Sequence, residues 1–165
     1  MFSLVDIKLV NKVSDELKKN QVTIATAESC TGGLLAHTLT NVSGSSDYFD
    51  CGIISYSNPA KIQLLGIPEQ LLKKHGAVSK EVAAAMAKAI RQHAQVTYGL
   101  ATTGIAGPTG GTKDKPVGLV YIAISTKNAV VVKKFLFSGD RLINKESSCT
   151  AALELLLEIL SRKKS

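Results

Sequence analysis

Three short segments of the chain place together residue types that could do chemistry on a small anionic ligand. The first is Thr26-Ala-Glu-Ser-Cys-Thr-Gly-Gly33. A β-branched run precedes it and a leucine-rich stretch follows, so it reads as a turn from strand into helix. Such a turn points free N–H groups and the positive end of the helix dipole at an anion. Gly32 and Gly33 would let a ligand approach the backbone there. Neither GxxxxGKS/T nor GxGxxG is present, so the turn carries no ATP or dinucleotide fingerprint. The alternative is that Ser29 or Thr31 only caps the helix. Cys30 sits where a helix start would depress a thiol pKa. It has no histidine partner nearby in sequence and reads as a buried, inert cysteine.

The second segment pairs Gly44-Ser45-Ser46 with Tyr56-Ser-Asn-Pro-Ala-Lys61. A serine needs a base to become a nucleophile, and without a suitable histidine that base could be a lysine. Lysine serves only when burial or a nearby cation lowers its pKa from about 10.4 towards 7–8. Lys61 falls one helical turn after the strand end that places Tyr56. The alternative is that Ser45 and Ser46 form a turn and Lys61 lies on a solvated face. The third segment, Thr103-Gly104-Ile-Ala-Gly107-Pro-Thr-Gly-Gly111, follows a strand, and loops at strand ends of α/β sheets line ligand crevices. Arg141, in Ser138-Gly-Asp-Arg141, stands at a helix start as a carboxylate or phosphate partner, or as one half of an ion pair with an acid.

The elements that must hold these residues follow from periodicity. Ile7, Val10, Val13 and Leu17 recur at helical spacing over roughly residues 4–19, and Asn20 closes that helix. Strands are expected at residues 22–27, 49–56, 98–103, 119–126 and 129–137, the last two forming a hairpin around Lys127-Asn128. Helices are expected over 34–39, from Pro59 to about Leu65, over 80–95 behind the N-cap Ser79, and from Asp140 to near Leu160. Residues 104–118 hold five glycines and two prolines and read as a loop. No internal repeat, linker or domain boundary is evident. The expected architecture is one domain over 1–165, a three-layer α/β/α sandwich around a mixed central sheet.

Composition narrows the function. With 45% apolar and 20% charged residues, a chain of 165 residues can bury one sizeable core. No apolar stretch reaches the roughly 18–20 residues of a membrane-spanning helix, and the lysine-rich N-terminus has no signal-peptide pattern, so a cytoplasmic location is expected. Three cysteines without CxxC spacing and three histidines without HExxH or HxH spacing suggest neither a disulfide framework nor a metal site. The net charge of +7 comes from dispersed lysines, with 5% aromatics and no Trp. That is a poor nucleic-acid signature but suits a small anionic substrate. Leu153, Leu155, Leu156, Leu157, Ile159 and Leu160 give the last helix a wide apolar face, from which a homo-oligomer is expected.

Eight motifs in order, ATAESCTGG, GSSDYF, YSNPAK, LLGIP, HGAVS, TGIAGPTGG, KPVG and FSGDR, closely resemble the CinA C-terminal domain family. The resemblance spans nearly the whole chain. It implies nicotinamide mononucleotide deamidase activity: hydrolysis of the carboxamide to nicotinate mononucleotide and ammonia, in pyridine-nucleotide salvage, without metal or organic cofactor. The family occurs alone and fused behind a larger nucleotide-pyrophosphatase-like domain, and the chain resembles the stand-alone form. The resemblance implies serine–lysine catalysis on a serine of GSSDYF and Lys61, with Tyr56 nearby. Ser46 ranks first as nucleophile, Ser45 next, and Ser29 as participant or rival. Ser45, Thr31, Gly32, Gly33, Thr103, Gly104, Gly107 and Arg141 are the expected substrate-binding residues. The oxyanion is expected at the Ser29–Gly33 helix start or the glycine-rich loop. The competing readings are a non-catalytic nucleotide-binding domain and, from the family's competence-related name, a nucleic-acid-associated protein.

Overall fold

The structure, a computed structural model, describes residues 5–162. The first expected helix residue, position 4, and the Lys163-Lys164 doublet lie outside that range. Helix α1 (Ile7–Lys19) starts where the Asp6 carboxylate accepts from the Lys8 N–H, and it buries Val10, Val13 and Leu17. These positions lie three and four residues apart, the spacing that puts side chains on one helical stripe.

Five strands form one sheet: β1 (Ile24–Glu28), β2 (Phe49–Ile54), β3 (Tyr98–Gly104), β4 (Leu119–Ser125) and β5 (Val130–Leu136). Their spatial order is β2-β1-β3-β4-β5. The first three strands run parallel, and β4 and β5 add as an antiparallel hairpin. The expected mixed sheet is what forms. Helices α2 (Leu34–Thr40) and α6 (Arg141–Arg162) join α1 on one face. On the other lie α3 (Asn58–Leu65), α4 (Glu69–His75) and α5 (Lys80–Ala94).

The two faces of the sheet differ in side-chain size, because successive strand residues point to opposite sides. Ile24, Tyr98, Leu100, Val120, Ile122 and Ile124 pack towards α1, α2 and α6. Ala25, Ala27, Ala101 and Ala123 face α5. Small residues let α5 sit close to the sheet. A Cβ at Gly99 would come within 2.2 Å of the Ala87 carbonyl oxygen, so that position has no room for a side chain. Gln-Val-Thr occurs at 21–23 and again at 95–97, each time leading out of a helix into a parallel strand. Gln21 and Gln95 both adopt left-handed backbone, with φ of 51° and 55°. Thr23 and Thr97 exchange reciprocal N–H to Oγ1 hydrogen bonds of 3.3 Å across the two adjacent links.

The last helix uses its apolar width inside the fold. Leu153, Leu155, Leu156 and Leu160 are buried in the core with α1 and the sheet, and Leu157 and Ile159 pack against the same cluster. No helix among the described residues is long and apolar enough to cross a membrane.

The connections decide where a ligand can bind. The chain leaves β1 through α2 on one face, whereas it leaves β2 through α3, α4 and α5 on the other. Adjacent parallel strands whose following helices diverge leave a crevice at their carboxyl ends.

Candidate active site

Two buried side chains meet in that crevice. Ser29 is the first residue after β1, and Lys61 lies in the first turns of α3, just beyond β2. Ser57 starts α3 by accepting from the Ala60 N–H, and Pro59 suits its first turn. Lys61 is 1% exposed. Its Nζ stands 3.0 Å from Ser29 Oγ and 2.7 Å from the Ser55 carbonyl oxygen. The Ser55 N–H in turn donates to the Glu28 carbonyl, which ties the end of β2 to the end of β1. Burial lowers the Lys61 pKa, and the nearby Cys30 opposes the shift only in part. Lys61 forms no ion pair with a carboxylate among the described residues. A lysine held this way is biased towards the neutral amine that can take a proton from a hydroxyl.

Glu28 does what the capping serine or threonine was expected to do. Its fully buried carboxylate accepts from the backbone N–H groups of Gly33, Leu35 and Ala36 at 2.8–3.0 Å. It also accepts from the Thr31 hydroxyl at 2.6 Å, and Thr31 is 2.7 Å from the Thr102 hydroxyl. The expectation that the α2 start holds a ligand anion is therefore corrected: its N–H groups are already spent on an internal carboxylate. Burial pushes the Cys30 thiol up to about 12, overriding the backbone N–H groups that favour its thiolate. Buried Cys149 is also pushed up.

At the mouth of the crevice, Arg141 begins α6 and spans two loops. It donates to Tyr56 Oη at 2.7 Å and to the Gly107 carbonyl at 2.8 Å, and it pairs with no acid among the described residues. Asp140 caps this helix by accepting from the Ile143 N–H. One turn on, Lys145 brings its ammonium to 3.5 Å from where a Gly32 Cβ would stand. The left-handed Gly32 and Gly33, with φ of 61° and 95°, thus form the turn and leave room for Lys145 and Ile54. Beside Arg141 opens a cleft of about 400 Å³ lined chiefly by Ala106, Pro108, Val117, Gly139 and Leu142.

Three other expected residues also make structural contacts. Thr103 spends its hydroxyl on the Ala77 carbonyl at 2.8 Å. A Cβ on Gly104 would stand 2.6 Å from the Leu119 carbonyl oxygen, and one on Gly107 would stand 2.5 Å from Val117 Cγ1. Among the described residues, no group of three or more His, Cys, Asp or Glu side chains is placed to hold a metal ion.

The expected pairing of Ser46 with Lys61 is corrected by the sheet. Ser45–Asp47 is a 3₁₀ turn before β2, whereas Lys61 lies after it. The six residues of β2 put about 20 Å between those ends at roughly 3.3 Å per residue. Ser45 Oγ donates to the Thr40 carbonyl at the end of α2, and Lys18 Nζ donates to the Ser43 carbonyl. This turn belongs to the amino-terminal rim of the sheet. Of the candidate serines, only Ser29 meets Lys61. Glu28, Thr102 and Lys145 did not stand out in the sequence. The acid four residues before Gly32 was the available signal for Glu28, while Lys145 is one lysine among many.

A mixed-sheet α/β domain with a serine–lysine pair at its switch point is thus the class defined by fold and site. Residues 6–160 match the CinA C-terminal domain, and the chain belongs to that family. It is 51% identical over 144 residues to a putative competence-damage inducible protein of Thermoanaerobacter pseudethanolicus, covering 87% of this chain and 35% of that protein. The chain therefore spans little more than a third of the length of that relative. Among solved structures, the competence/damage inducible protein CihA of Agrobacterium tumefaciens is 36% identical, with a TM-score of 0.90 over 92% of this chain and 93% of that one. The competence damage-inducible protein A (ComA) of Klebsiella pneumoniae is 31% identical, with a TM-score of 0.91 over 93% and 96% of the two chains.

Proposed function

We propose that the protein is a serine–lysine amidase that converts nicotinamide mononucleotide to nicotinate mononucleotide and ammonia, with Ser29 as nucleophile and Lys61 as base. The observation that carries this reading is the 3.0 Å contact between Ser29 Oγ and the buried, carboxylate-free Lys61 Nζ. The substrate rests on the family resemblance and on the cationic mouth formed by Arg141 and Lys145.

In this mechanism neutral Lys61 takes the Ser29 proton while Oγ bonds to the carboxamide carbon and the carbonyl electrons move to oxygen. When they return, the C–N bond breaks. Lys61 gives its proton to the leaving nitrogen, which departs as ammonia. Lys61 then takes a proton from the water that attacks the acyl-enzyme and returns it to Ser29 while the product leaves as the acid, which gives its remaining proton to solvent to become nicotinate. Arg141, Lys145 and the amides of the 106–111 loop are the donors assigned to the oxyanion and the phosphate. Glu28 acts through position, holding the turn that presents Ser29.

Ammonia release and nucleotide binding, measured together on wild type, S29A, K61A and S46A, test this reading. S29A and K61A should bind the nucleotide and lose about a thousandfold or more in turnover. S46A should retain activity within about twofold, since that side chain touches no reacting group. A wild type that binds the nucleotide but releases no ammonia would make the domain a binding module. An active S29A would remove Ser29 from the mechanism.

A further inference from the structure

The rim of the sheet opposite Ser29 carries a second concavity that the amidase reading does not use. Two adjoining cavities of about 580 and 260 Å³ share Arg91, Thr126, Lys127 and Asn128. Gln95, Val96, Thr97 and Tyr98 line the larger, and Lys88 joins the smaller. The larger volume falls within the range of small-molecule sites, about 300–1,000 Å³. Every charged side chain in the two linings is a cation, namely Lys88, Arg91 and Lys127.

Arg91 is oriented and unneutralised. It is half-buried, and its Nε donates to the buried Ser125 hydroxyl at 3.3 Å. Its stem lies against Gly99, where α5 rests directly on β3. None of Lys88, Arg91 and Lys127 forms an ion pair among the described residues. The terminal guanidinium nitrogens thus keep donors for an external acceptor, in the fork geometry that suits phosphate. The opposite wall is a tight hairpin. Thr126 Oγ1 accepts from the N–H groups of Asn128 and Ala129, which holds Lys127 and Asn128 at the cavity edge.

We propose that this cleft is a second anion site that takes a small phosphorylated ligand, either a free phosphate anion or a phosphate ester. Arg91 grips the phosphate, Lys88 and Lys127 neutralise it, and the Thr97 hydroxyl and the side-chain amides of Gln95 and Asn128 meet the rest of the ligand. The seven residues of β3 separate it from the Ser29 crevice by roughly 20 Å. It therefore stands or falls independently of the proposed reaction.

The test is a titration of the ¹⁵N-labelled protein, read residue by residue in amide spectra. The separate arms are inorganic phosphate, pyrophosphate, a nucleoside 5′-monophosphate and a single-stranded oligonucleotide. Saturable shifts of the 96–98 and 126–129 amides are expected with at least one small phosphate, and the responding arm distinguishes anion from ester. K88Q/K127Q should weaken that binding by about tenfold or more. R91K, which keeps the charge but loses the fork, should also weaken it while leaving amides elsewhere unmoved. Shifts confined to Ser29–Gly33 and Arg141, or no response up to about 10 mM, would overturn the proposal. A response to the oligonucleotide alone would overturn it as well and assign the rim to nucleic acid.

Discussion

At the scale of single residues, Lys61 has the largest consequence for pH. Its pKa is lowered by burial, so the folded state holds this proton less tightly than the unfolded chain does. Activity that requires the neutral amine should rise with pH through the Lys61 pKa, with a midpoint below the ordinary lysine value of about 10.4. A pH profile of kcat/KM for the proposed substrate checks this. Stability follows the same direction. Below the folded-state pKa, the protein bears the cost of burying a charge. Between that pKa and about 10.4 the unfolded chain binds more protons, so unfolding becomes harder as pH rises. K61M should therefore melt above wild type at pH 7, and the gap should close towards about pH 10.4 in a thermal melt series. Glu28 makes a separate prediction, because its buried carboxylate is hydrogen-bonded to the start of α2. E28Q should cost about 1–3 kcal/mol in denaturant unfolding by leaving backbone N–H groups poorly paired. A loss within experimental error would mean that the α2 start does not depend on the carboxylate.

At the scale of elements, the two Gln-Val-Thr links and the close approach of α5 make separable predictions. Left-handed backbone is strained for glutamine and free for glycine. Q21G should therefore stabilise the fold by about 0.5–1 kcal/mol, the strain relieved exceeding the entropy that glycine adds to the unfolded chain. G99A should have the opposite effect. Its methyl group would meet the Ala87 carbonyl at 2.2 Å, and separating α5 from the alanine face of the sheet should cost about 3 kcal/mol. Equilibrium unfolding of both variants measures the two effects. Most of these elements were legible in the sequence, since Ser79, Asp140 and Asn20 mark helix ends by their own chemistry. Strand β2 stops at Ile54, two residues short of the expected Tyr56: the Ser55 N–H makes the last rung of the parallel ladder with the Glu28 carbonyl, and β1 ends at Glu28, leaving no partner beyond it.

At the scale of the whole molecule, the long last helix is an internal wall. Leu156 is fully buried between α1 and the sheet, so L156A should cost about 2–5 kcal/mol of folding stability. Light scattering of the folded fraction should give the same mass as wild type. A change in mass without loss of stability would place that face in an interface between copies. The sequence alone determined the strands, the helices other than α4, the single α/β core and the family, because periodicity, caps and collinear motifs are local properties of the chain. It also singled out Lys61, Ser29 and Arg141 among the residues able to do chemistry. Which serine meets the lysine was decided by tertiary structure. Ser46 is nearer to Lys61 in sequence, 15 residues away against 32 for Ser29. Yet β1 and β2 lie side by side and parallel, so the residues that follow them share one rim, while the turn before β2 is left on the other. Sequence separation carries no information about which end of a strand a loop occupies once the sheet has formed.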